Sequence, residues 1–234
     1  MSPSTEPPWI ETLPDPLPAD PLELASQWLA QARMDAAQPN PNAMVLATAD
    51  ENGQPSARVV LCKDIVPETG HIVFYTNYQS RKGRELRKNP RAAIVFHWDH
   101  RHRQVRAEGH VEPLDDAQND AYFRTRPWQS RIGAWASRQS EPVASRADLG
   151  ESVAAAARRF GIPYGGPGTQ EPAVVAGGIP AHSQIGRVLF PGRSIQIEPR
   201  QQLFHGRLGN IALTRERAAG HQLHQEKGDR DDAK

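Results

Sequence analysis

Ala43-Met44-Val45-Leu46-Ala47-Thr48-Ala49, then Asp50-Glu51-Asn52-Gly53-Gln54-Pro55, then Ser56-Ala57-Arg58-Val59-Val60-Leu61-Cys62-Lys63, is the stretch that decides the fold. Two apolar runs of strand length flank a short polar segment. Its Asn-Gly pair accepts the positive φ of a type I′ turn, so the reading is a β-hairpin of Ala43–Ala49 with Ser56–Lys63. Working outward, His71–Asn77, Arg91–Trp98 and Arg103–Val111 read as three further strands. In the last of them Gln104, Arg106 and Glu108 alternate with Val105 and Ala107, the period of a strand with one buried face.

Helices punctuate this run of strands. Asp20-Pro21 starts one whose apolar stripe is Leu22, Leu24, Trp28 and Leu29. Ser80 opens a short basic helix, Arg81–Lys88, stopped by Asn89-Pro90. Asp115–Thr125 reads as a third helix and Arg126–Ser140 as a polar loop. Ser145-Arg146-Ala147-Asp148 resembles a capping box ahead of a helix with Leu149, Val153, Ala156 and Phe160 on one side. Gly161–Gly178 is a Pro/Gly-rich connection, and Gly186–Glu198 holds one or two last strands. No internal repeat is present. Five or more strands in short-loop succession predict a mainly β fold, a β-barrel with peripheral α-helices.

Composition bounds the function. The chain has 234 residues, 28 Lys+Arg against 27 Asp+Glu and a formal net charge of +1, which argues against nucleic-acid binding by bulk charge. Hydrophobic residues make up only 38%, with 21 prolines and 18 glycines, and the deficit lies at the ends. Residues 1–19 read as a proline-rich arm, 20–212 as one barrel domain and 213–234 as a polar tail. One cysteine, Cys62, permits no intrachain disulfide and fits a reducing, cytoplasmic setting. No secretory signal is evident, and no apolar run approaches the roughly 20 residues of a membrane span.

Chemistry-bearing residues gather at strand ends. Arg58 and Lys63 bracket an apolar segment. Tyr75-Thr76-Asn77 ends the third strand, and Ser80-Arg81-Lys82 follows at a helix start. Guanidinium, ammonium, hydroxyls and a helix N-terminus together are what a phosphate dianion needs; decoration of strand ends by solvated charge is the competing reading. Strict alternation places Arg58 and Lys63 on opposite faces of one strand, so both reach one ligand only through a bulge or a site at the strand's end. Tyr122 and Arg126 share a helical face and, with Ser130, suit a second anionic group; a solvated helix end is the alternative. His97, His100 and His102 fit no zinc spacing and read as an exposed hairpin turn, so no metal is expected. Cys62, mid-strand, reads as an inert small hydrophobe. No P-loop, Gly-x-Gly-x-x-Gly or Gly-x-Ser-x-Gly signature occurs.

These same residues resemble the pyridoxine/pyridoxamine 5′-phosphate oxidase family of FMN-binding split-barrel flavoproteins. The likeness runs through Leu17–Leu22, Asn42–Thr48, Gly53–Lys63, Val73–Asn77, Ser80–Leu86, Arg103–Arg106 and Tyr122–Pro127, with Ser130–Ser140 its most specific block. It implies a mainly β, FMN-binding split β-barrel with peripheral α-helices. It implies flavin contacts at Arg58, Val59, Val60, Leu61, Cys62, Lys63, Tyr75, Thr76, Arg81, Lys82, Gln104, Gln139 and Ser140. Contacts to the phosphate of a B6 vitamer fall on Lys63, Tyr122, Arg126 and Ser130. It further implies a homodimer with FMN at the subunit interface, and oxidation of a 4′-amine or 4′-alcohol to an aldehyde with O2 reduced to H2O2.

The C-terminal third departs from that pattern. The family carries Pro-x-x-Trp-Gly-Gly, then Glu-x-Trp, then Arg-x-His-Asp-Arg. Here Pro180-Ala181-His182 is followed by Ser183-Gln184-Ile185, Ile197 stands at the flavin-contacting Trp and Leu203 at the substrate Arg. His205 keeps the substrate His and Arg207 the last Arg. A diverged enzyme and a reading frame disturbed after about Ala181 both account for this. Three functions follow from the sequence: the oxidase, a split-barrel protein that binds FMN or a B6 phosphate without turnover, and a related oxidase of a phenazine-type substrate, against which the Tyr122/Arg126/Ser130 set argues.

Overall fold

The computed structural model describes residues 13–163, together with the backbone of three C-terminal strands, 185–189, 192–199 and 212–213. The expectations for Pro180–His182, Leu203, His205, Arg207, most of the arm and the polar tail lie outside the described residues.

Helix α1 is Pro21–Asp35, and Asp20 caps it by accepting the Leu22 N–H at 2.9 Å. Its stripe of Leu22, Ala25, Trp28, Leu29 and Ala32 is buried. Strand β1, Ala43–Ala49, pairs antiparallel with β2, Pro55–Val66, from Ala43 opposite Leu61 to Ala49 opposite Pro55. The hairpin stands but its turn is not type I′: in the connecting loop positive φ is confined to Gly53, at 83°. Asp50 is the cause. Its carboxylate accepts the Asn52 and Gln54 N–H groups, both at 2.9 Å, while Gly53 N–H donates to Asp50 O at 3.1 Å. This side-chain mimic of a turn leaves the left-handed residue to the glycine.

Strand β3 is His71–Asn77, α2 is Arg81–Lys88, β4 is Arg91–Trp98 and β5 is Arg103–His110. A 3₁₀ turn, Asp99–Arg101, joins the last two, and His97, His100 and His102 are exposed there. Strand β6 is the short Glu112–Pro113, followed by α3, Asp116–Thr125. Residues 126–140, expected as a polar loop, instead contain helix α4, Trp128–Ala136. Trp128 and Ile132, one turn apart, are buried and draw this segment into helix. Helix α5, Arg146–Arg159, starts at the Ser145 cap, whose hydroxyl oxygen accepts the Asp148 N–H at 3.1 Å. Ala156 and Ala157 are its buried residues, whereas Leu149, expected on that side, is 44% exposed. Strands β7, Ile185–Leu189, β8, Gly192–Pro199, and β9, Ala212–Leu213, complete the sheet.

The nine strands among the described residues form one antiparallel sheet in the order β6-β7-β3-β2-β1-β4-β5-β8-β9. Met44, Leu46, Cys62, Phe74, Ile94, Phe96, Val105 and Ala107 turn one sheet face into a core that α1 covers. A second cluster, Phe123, Trp128, Ile132, Ala156, Ala157 and Ile162, unites α3, α4 and α5 and packs against Tyr75 of β3.

Strand β2 is split between two partners. Residues 55–61 pair with β1, and β3 pairs with β2 through Cys62–Val66. Among the described residues no strand pairs with the second edge of 55–61. The register also slips between Cys62 and Asp64, which makes Lys63 the unpaired residue of a β-bulge. Both features shape the site.

Candidate functional site

A cavity of about 870 Å³ lies along that open edge of β2. Six successive β2 residues, Ser56–Leu61, line it, and so does Lys63. Consecutive residues of a strand contact one cavity only where the cavity wraps the strand's edge. The open edge and the Lys63 bulge therefore answer the difficulty that alternation posed for Arg58 and Lys63.

The end of β3 and the start of α2 form a second wall, with Tyr75, Thr76, Asn77, Arg81 and Lys82. Ser80 caps α2: its hydroxyl donates to Asn77 O at 2.6 Å and accepts the Gly83 N–H at 3.3 Å. A Cβ on Gly83 would lie 2.4 Å from Tyr78 O, so this glycine allows the first turn of α2 to sit against the end of β3. Helices α3 and α4 and the loop after them supply Tyr122, Arg126, Ser130, Ser137, Gln139 and Ser140. Ser140 is left-handed at φ 73°, an unusual backbone for a non-glycine residue at a cavity wall.

Of the residues the sequence singled out, Cys62 and Gln104 stand apart. Cys62 faces the core; burial pushes its thiol up to about 12, and its N–H and C=O are both held by Asn42. Gln104 lies on the outer sheet face, in line with His97, and does not line the cavity of its own chain. Asn77, named with Tyr75 and Thr76 at the strand end, lines the cavity too, and Ser56, Ala57, Gly133, Ala134 and Ser137 line it without having been expected.

The wall at the start of α2 is built around buried charge. Lys82 is 8% exposed, and its Nζ donates to Gln139 Oε1 at 3.0 Å and Ser80 Oγ at 3.3 Å. Burial, then the Arg58 charge, brings its ammonium down to about 8, with Glu85 opposing. Glu85 is 5% exposed; burial raises its carboxyl, but hydrogen bonds from Thr48, Ser56 and Arg81 and the Arg58 charge outweigh this and hold it at about 2. The four terminal N–H groups of Arg58 meet Leu46 O, Thr48 Oγ1, Ser56 Oγ and Glu85 Oε2. The bidentate fork expected to grip a phosphate is therefore committed to the protein, and Arg58 offers the cavity its charge and its Nε–H. Arg81 spends its Nε–H on Glu85 Oε1 at 2.8 Å, and its terminal nitrogens have no partner among the described residues.

At the other end Tyr75 and Tyr122 stack face to face, their ring centroids 3.3 Å apart and 2° from parallel. Lys63 Nζ lies over the Tyr122 ring at 5.8 Å, and the Arg126 guanidinium over Phe123 at 5.7 Å.

These residues fit FMN. The Thr76 hydroxyl is buried in the cavity wall and, among the described residues, has no hydrogen-bond partner. An orphaned donor beside a desolvated ammonium and an uncommitted guanidinium fork is the complement of a phosphate dianion.

The fold makes this chain a split β-barrel with peripheral α-helices. It shares its fold with PhzG from Burkholderia lata 383, solved in complex with tetrahydrophenazine-1-carboxylic acid (TM-score 0.66, 24% identity, 83% of this chain and 85% of that one). A pyridoxamine 5′-phosphate oxidase-related, FMN-binding protein from Nostoc punctiforme shares it too (TM-score 0.56, 16% identity, 76% and 84%). The family model for pyridoxamine 5′-phosphate oxidase matches residues 30–158, and the chain belongs to that family. Curated relatives named pyridoxine/pyridoxamine 5′-phosphate oxidase include that of Bordetella petrii, 55% identical over 137 residues, which are 58% of this chain and 63% of the relative. That of Rhodopseudomonas palustris is 50% identical over 142 residues, 60% of this chain and 65% of the relative. The chain thus matches just under two thirds of the length of these relatives.

Proposed function

We propose that the protein is an FMN-dependent oxidase that converts pyridoxamine 5′-phosphate or pyridoxine 5′-phosphate to pyridoxal 5′-phosphate, with O2 reduced to H2O2. The observation that carries this is one cavity furnished with two anion-binding sets. Thr76, Arg81 and Lys82, with the field of Arg58, suit the phosphate of FMN. Lys63, Tyr122, Arg126 and Ser130 suit the phosphate of the vitamer. FMN, when bound, supplies the two-electron chemistry and its reoxidation by O2. The chain's own residues bind, orient and exclude water. Tethering both phosphates fixes two flat rings against each other, which converts an encounter into a positioned pair. Gln139, whose Oε1 already accepts from Lys82 Nζ, keeps its amide N–H groups for the polar edge of a flavin ring, and Ser140 adds a hydroxyl beside it.

We read the working unit as a homodimer. Val45, Val59 and Leu61 are exposed apolar residues on the outer face of β1 and β2, and Val59 and Leu61 also line the cavity. That face continues through Val95 to Arg106, and Gln104 is on it. A second copy covering this face buries the patch and brings a Gln104 toward a cavity that one chain leaves open. The one cysteine of the chain, buried and free, supports a cytoplasmic setting; among the described residues no helix is long and apolar enough to cross a membrane.

A second reading, an FMN- and B6-phosphate-binding protein without turnover, is favoured by one specific observation: Ile197, opposite Val105 in β8, stands where the family has its flavin-contacting Trp. Purified chain supplied with FMN, O2 and pyridoxamine 5′-phosphate separates the two. The oxidase yields aldehyde and H2O2 in equal amounts. Bound flavin with neither product establishes the second reading, and a chain that takes up no FMN removes both.

A further inference from the structure

Glu85 lies behind the cavity wall rather than in it, and the family resemblance assigns it nothing. Its surroundings are specific. Oε2 accepts from the Thr48 hydroxyl, from the Ser56 hydroxyl at 2.7 Å and from Arg58 Nη2 at 3.2 Å, while Oε1 accepts from Arg81 Nε at 2.8 Å. One carboxylate thereby joins β1, β2 and the first turn of α2. Among the described residues it holds the two arginines that line the cavity beside the start of α2, Arg58 by a terminal nitrogen and Arg81 by Nε.

We propose that Glu85 is the positioning residue of the flavin-phosphate subsite. It fixes Arg58 as a charge behind the site and turns Arg81 so that its terminal nitrogens serve the phosphate. The proposal rests on the function proposed above. A carboxylate near a phosphate also repels it, and the two effects have opposite signs. Positioning dominates here because four donors consume the Glu85 oxygens and two guanidinium charges offset its own. A glutamine of the same shape turns an N–H toward one of its donors, so it releases either an arginine or the hydroxyl pair that holds the carboxylate in place.

The test compares FMN with riboflavin, which lacks the phosphate, by quenching of flavin fluorescence on the full chain and its E85Q variant. Loss of one charge-assisted contact to the phosphate makes FMN about tenfold weaker or more and leaves riboflavin within about twofold, so the preference for the phosphorylated flavin collapses. Unchanged or tighter FMN binding by folded E85Q overturns the proposal. Equal weakening of both flavins also overturns it, since that marks a merely structural residue. Should circular dichroism show E85Q unfolded, the T48V/S56A variant keeps the carboxylate and its bonds to both arginines but removes the two hydroxyls that aim it, which also accept from Arg58. A loss of about threefold for FMN alone is then expected, and no loss contradicts the role. Wild-type chain that binds neither flavin removes the proposed function as well, whereas FMN-binding wild type with an indifferent E85Q removes only the role of Glu85.

Discussion

The two ends of the cavity are built on different principles. At the α2 end, Lys82 and Glu85 are buried and Arg58 is half-buried; Lys82 bonds to Ser80 and Gln139, and Glu85 and Arg58 bond to Thr48 of β1 and Ser56 of β2. At the α3–α4 end, Lys63 is exposed, Tyr122, Arg126 and Ser130 are half-buried, and the contacts are ring faces and not ion pairs. Desolvated, cross-linked charge suits a group that stays. Partly hydrated charge on two helices and a bulge suits one that comes and goes, because less reorganisation accompanies each exchange. On the function proposed above, this difference would separate a cofactor phosphate from a substrate phosphate within one cavity.

Lys82→Met, which keeps the length of the side chain and removes its charge, should have the largest effect. FMN binding should weaken about 100-fold, as expected for losing a buried charge-assisted bond, with the vitamer site unaffected once FMN is saturating. Fluorescence titration reads the first and steady-state kinetics the second. Arg126→Ala probes the other end. It should raise KM for pyridoxamine 5′-phosphate about tenfold or more while FMN affinity stays within about twofold, and equal losses would erase the distinction drawn between the ends.

A smaller effect is the pH dependence of FMN affinity. Lys82 titrates at about 8 in the free protein, lowered by burial and then by Arg58, with Glu85 opposing and Arg81 nearby. A bound dianion raises that value, so the contribution of Lys82 is fully present below about pH 8 and is lost as pH rises toward the bound-state value. The phosphate's own second ionisation near pH 6 sets the lower limit. Affinity measured from pH 6 to 10 should therefore rise slightly to about 7, stay level to about 8 and then fall, and Lys82→Met should abolish that fall.

Much of this arrangement is legible in the sequence, and the exceptions share a cause. The Ser80 cap, the Asp20 cap and the β1–β2 hairpin rest on local chemistry, and each forms where that chemistry puts it. The turn differs because Asp50 competes with the Asn-Gly preference, again locally, through a side chain whose reach the dipeptide rule ignores. Helix α4 is hidden by polar residues between Trp128 and Ile132, though their four-residue spacing was a signal. The open edge of β2 and the Lys63 bulge follow from where β3 stops pairing, a long-range fact with no local mark. Glu85 stands four residues after Arg81 on one helix, so half of its role was visible; the other half, Thr48 and Ser56 on a distant hairpin, was not.

The central claim, two phosphate subsites in one cavity, is tested most directly by calorimetric titration of the FMN-loaded chain with pyridoxal 5′-phosphate, flavin release being followed in the same sample by absorbance. One pyridoxal 5′-phosphate should bind per FMN, with no flavin released and much weaker binding of unphosphorylated pyridoxal. Displacement of FMN by pyridoxal 5′-phosphate would contradict the claim, because it would show that both groups of residues serve a single anion.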